Sequence, residues 1–289
     1  MVGFLNGGSP GGYAVYVTGF LHGLNESGYV EGKNVTIDYQ WARGQYDRLQ
    51  AMAADLVRRK VAVIASNTPA TPVAKASTRE IPIVLVSTGD PVMLGLVTSF
   101  GRPGGNLTGV GLLGLELEGK RLGLLHQFVP GTTQIGVLVN QMNPAANIQL
   151  RELQESAGAI KRQIDILRAS TALDIEMGFA NAARQKAAAL LVVQDPFYNS
   201  QRDQLVALAA RHKLPVMYPL REFAEKHDLV DGYRQMGVYA GRIFKGEKPA
   251  DLPVVQPAKF EFVINLKTAR ALGLTIPPSL FTTADEVIE

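Results

Sequence analysis

Five times along the chain a short polar residue stands directly before a proline at the end of an apolar run: Ser9-Pro10, Thr68-Pro69, Asp90-Pro91, Asn143-Pro144 and Asp195-Pro196. Each pair predicts the N-cap and first residue of a helix that starts where a strand ends. Such helix starts present backbone N–H groups and a positive dipole end, which suit a carboxylate. Asp90 and Asp195 supply the negative charge that an ammonium needs. Together the five can recognise a zwitterion with no covalent step, although a single cap does no more than stabilise its own helix by about 1 kcal/mol. Near the same strand ends stand Tyr13, Trp41, Phe197 and Tyr218, which can wall an apolar or aromatic body, or simply pack in the core. Arg221 can meet a carboxylate in bidentate fashion, or begin a helix at the surface.

Patterns that would signal catalysis break down on inspection of their chemistry. Gly7-Gly8-Ser9-Pro10-Gly11 has the spacing of a nucleophile elbow, but the residue after the serine must donate its N–H to the oxyanion, and Pro10 has none. Residues 114–120 have P-loop spacing, yet Arg121 replaces the hydroxyl that binds magnesium, and Glu116 and Glu118 would repel phosphate. The four histidines, His22, His126, His212 and His227, are too far apart in sequence for a ligand motif. No metal and no cofactor are expected. There are no cysteines, so disulfides and thiolate chemistry are excluded and either redox compartment is compatible.

The elements that must position these residues alternate between short Val/Ile/Leu runs and longer amphipathic stretches. Strands are expected at 2–6, 35–41, 61–66 and 83–87, with helices at 13–27, 46–59 and 72–78. The rhythm restarts with strands at 135–140, 163–167, 189–194 and 215–218 and helices at 145–159, 173–186 and 202–211. Local detail repeats too: Asn6 and Asn140 each precede a proline by four residues, and Ile81-Pro82-Ile83 parallels Leu214-Pro215-Val216. At 289 residues the chain is long for one core, so two Rossmann-like α/β lobes with parallel sheets are expected. Lobe 1 is assigned residues 1–112 with 229–289, and lobe 2 residues 113–228. The strand at 107–111 is expected to cross between lobes, 249–257 to run extended, and a late strand at 260–265 to return to lobe 1.

Net charge is +3, but the Lys and Arg residues are spread along the chain rather than clustered, so nucleic acid is not an expected partner. The apolar runs at 61–65 and 187–193 fall far short of the roughly 20 residues needed to span a bilayer. No charged and apolar leader precedes the first strand, so an exported chain is expected to have lost its signal before this point.

Four segments carry a family resemblance: residues 24–34 (LNESGYVEGKN), 89–92 (GDPV), 102–109 (RPGGNLTG) and 262–269 (FVINLKTA). In these the chain resembles the ABC transporter substrate-binding proteins of the type I periplasmic binding protein fold, in the branch that includes tryptophan and phenylalanine receptors. The resemblance covers nearly the whole chain. It implies an exported, periplasmic receptor, monomeric, that closes about a multi-strand hinge on a small carboxylate-bearing solute and delivers it to a membrane permease with its ATPase. It also implies that the binding loops fall on Asn6, Gly7 and Ser9, on Asn67, Thr68 and Thr71, on Thr88, Gly89 and Asp90, on Asn140 and Asn143, and on Gln194 and Asp195. The chain departs from the family where Lys226-His227-Asp228-Leu229 runs straight on without the usual small Gly/Ser/Tyr loop, so one wall of the site is expected to differ. Competing expectations are the sensor domain of a regulator, which needs a DNA-binding module this chain lacks, and a two-lobed enzyme using Asp90 and Asp195 as acid and base. Asp90→Ala or Asp195→Ala is expected to weaken binding and leave the fold intact.

Overall fold

The computed structural model describes residues 1–111, 117–129, 134–219, 228–256 and 262–289. The chain divides into two compact units, Met1–Gly114 with His227–Pro257 and Leu115–Lys226 with Ala258–Glu289.

Unit 1 begins with β1 (Val2–Asn6), α1 (Pro10–Glu26), β2 (Ile37–Trp41), α2 (Leu49–Arg58), β3 (Val63–Asn67), α3 (Ala70–Ser77), β4 (Ile83–Ser87) and β5 (Leu107–Gly111). Its sheet has the order β2-β1-β3-β4-β5, and every pairing is parallel. All residues of β1, β3, β4 and β5 are buried, which is why these strands read as unbroken apolar runs rather than alternating ones. β5 stays in this unit as an edge strand paired with β4.

Unit 2 repeats the wind with α4 (Glu118–Phe128), β6 (Gln134–Val139), α5 (Ala146–Ala159), β7 (Gln163–Arg168), α6 (Ala172–Arg184), β8 (Ala189–Val192), α7 (Pro196–Ser200), α8 (Arg202–His212) and β9 (Val216–Met217). Its parallel sheet has the order β7-β6-β8-β9. Every strand expected between residues 2 and 87 and between 135 and 218 is present.

The chain then returns to unit 1 as α9 (Asp228–Phe244), which lies tightly along α1. Glycine makes that approach possible: a Cβ at Gly23 would strike the carbonyl of Arg234, and one at Gly237 the carbonyl of Phe20. The proline-containing stretch that follows docks on β5, with Val255 N donating to Gly109 O at 2.9 Å and Gly111 N donating to Val255 O at 2.9 Å.

The last segment departs from expectation. Its strand, β10 (Val263–Asn265), pairs in parallel with β11 (Glu286–Ile288), and the chain from Ala258 onward belongs to unit 2 rather than to the first lobe. The cause is apolar packing: Ile264, Ala269, Ile276 and Leu280, carried partly on α10 (Leu266–Ala271) and α11 (Pro278–Thr283), form a cluster with Leu124 and Phe128 of α4. Among the described residues no helix is long and apolar enough to cross a membrane.

Candidate functional site

In each sheet the winding reverses direction beside its first strand, between β1 and β3 in unit 1 and between β6 and β8 in unit 2. Doubly wound sheets hold ligands outside the carboxyl ends of the strands at such points. The polar residues expected from the sequence gather at both.

In unit 1, Asn6 ends β1 and Asn67 ends β3, and the two buried carboxamides clasp one another: Asn67 Nδ2 donates to Asn6 Oδ1 at 3.1 Å. Asn6 Oδ1 also accepts from Gly8 N at 2.7 Å, and Asn67 Oδ1 accepts from Gly7 N at 3.0 Å. The clasp therefore shapes the Gly7-Gly8-Ser9 loop. Asn6 Nδ2 donates to the Tyr233 hydroxyl at 3.1 Å, and Asn67 Nδ2 lies 3.5 Å from the Tyr13 hydroxyl. Burial holds the Tyr233 phenol far above its ordinary pKa, so it keeps its proton. A second hydroxyl chain lies alongside. Thr68 Oγ1 donates to Ser87 Oγ at 3.1 Å, Ser87 Oγ donates to Gly89 O at 2.8 Å, and Ser66 and Thr71 share a bond of 2.9 Å.

In unit 2 the same strand ends are joined differently. Asn140 Nδ2 donates to Asp195 Oδ1 at 3.2 Å, Asn143 Nδ2 donates to Asp195 Oδ2 at 2.6 Å, and Phe197 N donates to Oδ1 at 2.8 Å. Asp195 is 0% exposed, so both of its oxygens are turned to the protein. Asn140 Oδ1 accepts from Met142 N and Asn143 Oδ1 from Ala145 N, which shapes the loop after β6. Gln194 is pinned by its backbone: its N–H donates to Glu118 Oε1 at 2.9 Å and its carbonyl accepts from Gln149 Nε2 at 2.8 Å.

Of the five expected caps, only Asp195-Pro196 has the full form, with Asp195 as N-cap and Pro196 as first residue of α7. Ser9 occupies the N-cap of α1 but its side chain makes no cap bond, and Pro10 and Gly11 of the first turn are exposed. The N-cap of α3 is Pro69, not Thr68, and the Thr68–Pro69 peptide is cis. No helix follows Asp90: its Oδ1 accepts from Val92 N at 2.6 Å and Met93 N at 3.2 Å, closing a single turn. The N-cap of α5 is Ala145, two residues beyond Asn143. Thr68, Asp90 and Asn143 fail as caps because each side chain has a nearer partner across the sheet edge or in its own turn.

The aromatic candidates divide likewise. Tyr13 is a core residue, 1% exposed and packed against Tyr16, Trp41 and Tyr233 at ring separations of 5.1, 6.1 and 6.0 Å. Phe197 is buried against Tyr198. Trp41 is half-buried at the end of β2, in register with Asn6 and stacked on Tyr39. Tyr218 is half-buried, its hydroxyl donating to Leu205 O at 3.3 Å. Ser9, Thr88 and Asp90 also keep partial exposure. Arg221, and the Lys226–Leu229 junction up to residue 227, lie outside the described residues.

Several contributors escaped the sequence reading. Tyr233 reaches Asn6 across 227 residues, a pairing with no local signature. Glu118 and Arg121 form a buried ion pair at 2.6 Å, and Arg121 Nη2 also donates to Val192 O at 2.5 Å, tying α4 to the end of β8. Burial pushes the Glu118 carboxyl above its usual range against the pull of Arg121. Their signal was two charges on the buried stripe Glu118, Arg121, Leu122, Leu125. Gln149 interrupts the stripe Ala146, Leu153, Ala157 of α5 in the same way. Met93 and Met142, 67% and 50% exposed, sit on the loops after β4 and β6. Among the described residues no group of three or more His, Asp or Glu stands where it could hold a metal ion.

The family model described as ABC transporter substrate binding protein matches residues 9–288. A curated relative, the tyrosine-binding protein of Clostridioides difficile, is 28% identical over 269 residues, covering 89% of this chain and 76% of the relative. Among solved structures, a conserved domain protein from Vibrio cholerae is 26% identical with a TM-score of 0.86, covering 99% of this chain and 98% of that one. An ABC domain from Streptococcus pneumonia, solved in complex with L-Trp, is 25% identical with a TM-score of 0.84 and full coverage of both chains.

Proposed function

The chain belongs to the ABC transporter substrate-binding protein family, and on that premise we propose that it captures an aromatic α-amino acid at the carboxyl-end rim of its unit 1 sheet, catalysing nothing. The observation that carries this is the pair of clasps. At both switch points the buried Asn and Asp side chains are committed to shaping loops, while half-buried groups lie outside them. In unit 1 those outer groups are complementary to an amino acid. The exposed first turn of α1 suits a carboxylate, Asp90 keeps Oδ2 outside its own turn and suits an ammonium, and half-buried Trp41 offers apolar surface to a ring. The C. difficile relative is named for tyrosine, and the S. pneumonia domain was solved with L-Trp. The protein works as an exported, periplasmic monomer that passes its solute to a permease driven by an ATPase.

Trp41 is the one tryptophan of the chain and stands beside Asn6, so its fluorescence reports on the rim directly. L-tyrosine or L-phenylalanine should change its emission saturably, and a ligand at a hundredfold excess over its Kd should add about 2.7 kcal/mol to the folded state. Asp90→Ala should lose at least about tenfold in affinity while unfolding within about 1 kcal/mol of the parent. An emission spectrum and melting temperature indifferent to every aromatic amino acid would sink the proposal.

A further inference from the structure

Unit 1 holds a cavity of about 410 Å3 where the end of α3 meets the loop between β4 and β5. Thr78 turns extended after the last residue of α3, so the chain leaves the helix on its way to β4. Asn106, the residue before β5, bridges the gap this leaves: its Nδ2 donates to Thr78 O at 3.2 Å and to Ile81 O at 2.8 Å. That side of the cavity therefore lies at the amino ends of β4 and β5, the reverse of the rim where the solute is proposed to bind. Another wall is Leu94-Gly95-Leu96, pinned by Leu96 N donating to Pro91 O at 2.8 Å and by Lys75 Nζ donating to Gly95 O at 2.6 Å.

The charge of this lining is one-sided. Lys75 and Arg79 both line the cavity, and among the described residues no acid does, Glu80 included. The Arg79 guanidinium has no hydrogen-bond or ion-pair partner among the described residues, and Lys75 spends only one of its three N–H bonds on Gly95. Thr78 Oγ1 accepts from Glu80 N at 3.2 Å and Ile81 N at 3.1 Å, which leaves its O–H to donate. Pro72, Leu94 and Leu96 supply apolar surface beside these donors. Cavities of roughly 300 to 1,000 Å3 suit small molecules. We propose that this is a second ligand site, which takes a small oxyanion, phosphate or carboxylate, carried on an aliphatic body. Arg79 meets the oxyanion with its planar fork, Lys75 adds a second positive charge and Thr78 a neutral donor. The inference does not rest on the aromatic amino acid proposed as solute.

Isothermal titration with n-butyl phosphate, which has neither a ring nor an ammonium, tests it on the parent, Arg79→Gln, Lys75→Gln and Lys33→Gln. The last removes an exposed cation of unit 1 outside the cavity. The parent should bind saturably. Arg79→Gln should lose at least about fivefold in affinity, Lys75→Gln about threefold because Lys75 is exposed, and Lys33→Gln nothing. Trp41 emission should stay unchanged throughout, since β1 and β3 stand between its strand and β4. Melting curves identify a variant that has failed to fold, leaving the other cavity variant to decide. No saturable binding by the parent overturns the inference, and so does an equal loss in Lys33→Gln, which would mark diffuse charge attraction. Binding that shifts Trp41 emission and survives Arg79→Gln also overturns it, because the phosphate would then sit at the rim.

Discussion

In unit 1 the strand ends at the switch point are joined by two neutral carboxamides, whereas in unit 2 the corresponding ends are joined by two carboxamides converging on a carboxylate. A carboxamide pair is self-complementary, donor to acceptor, but its orientation must be set by third groups, here Gly7 N, Gly8 N and the Tyr233 hydroxyl. A carboxylate only accepts, so unit 2 must surround Asp195 with N–H groups and in return gains a cap for α7. The same fold feature is thus built once from orientation and once from charge, and the two should fail differently.

The largest effect belongs to the charged clasp. Asp195→Ala orphans the Nδ2 groups of Asn140 and Asn143 and the N–H of Phe197, and should lower unfolding free energy in urea by about 3 to 5 kcal/mol. The expectation that Asp195→Ala leaves the fold intact is therefore reversed: Asp195 is too deeply committed to be a rim group, and a fully stable variant would remove the distinction between the clasps. Next, Asn67→Asp should cost about 2 to 3 kcal/mol by the same measurement, because it sets a carboxylate oxygen against Asn6 Oδ1 where Nδ2 now donates. If Asn67→Asp were neutral, charge and amide would be interchangeable there. Tyr233→Phe should cost about 1 to 2 kcal/mol, since the acceptor for Asn6 Nδ2 is lost.

A smaller contrast concerns helix starts. Helix α6 in unit 2 has a reciprocal cap, with Asp174 N donating to Thr171 Oγ1 and Thr171 N donating to Asp174 Oδ2, whereas Ser9 gives α1 no side-chain cap. The backbone N–H of Ser170 leads the causes that hold the Asp174 carboxyl below its usual pKa. A lowered folded-state pKa means that the contribution is complete above the ordinary aspartate value of about 3.9 and disappears as pH falls through the lower folded value. Asp174→Asn should therefore cost about 0.5 kcal/mol at neutral pH, discounted for exposure, and the difference between variant and parent should close in acid-dependent melting curves.

Much of this architecture can be read from the chain itself. Buried parallel strands announce themselves as unbroken Val, Ile and Leu runs, as at 83–87, where expectation and β4 coincide residue for residue. The matching positions of Asn6 and Asn140 marked the internal repeat, and the strand orders place both residues at switch points. The cap motif was less trustworthy: Thr68, Asp90 and Asn143 have the right neighbour in Pro but find other partners, because a short polar side chain takes the nearest hydrogen-bond partner that folding brings to it. Gln149 was legible as a polar break in the apolar stripe of a helix read only for its periodicity, whereas Glu118 and Arg121 were weighed only against a phosphate loop.

By itself, then, the sequence determined the alternation of strand and helix, its duplication, and the strand ends where polar residues collect, because all of these follow from spacing along the chain. Only the tertiary structure decided that Tyr233 completes the clasp of Asn6, that Asp195 belongs to the interior, and that the segment from Ala258 onward packs with unit 2. Those outcomes depend on which surfaces meet after the chain has folded back on itself, where burial and hydrogen-bond saturation, rather than neighbouring residues, choose the partner.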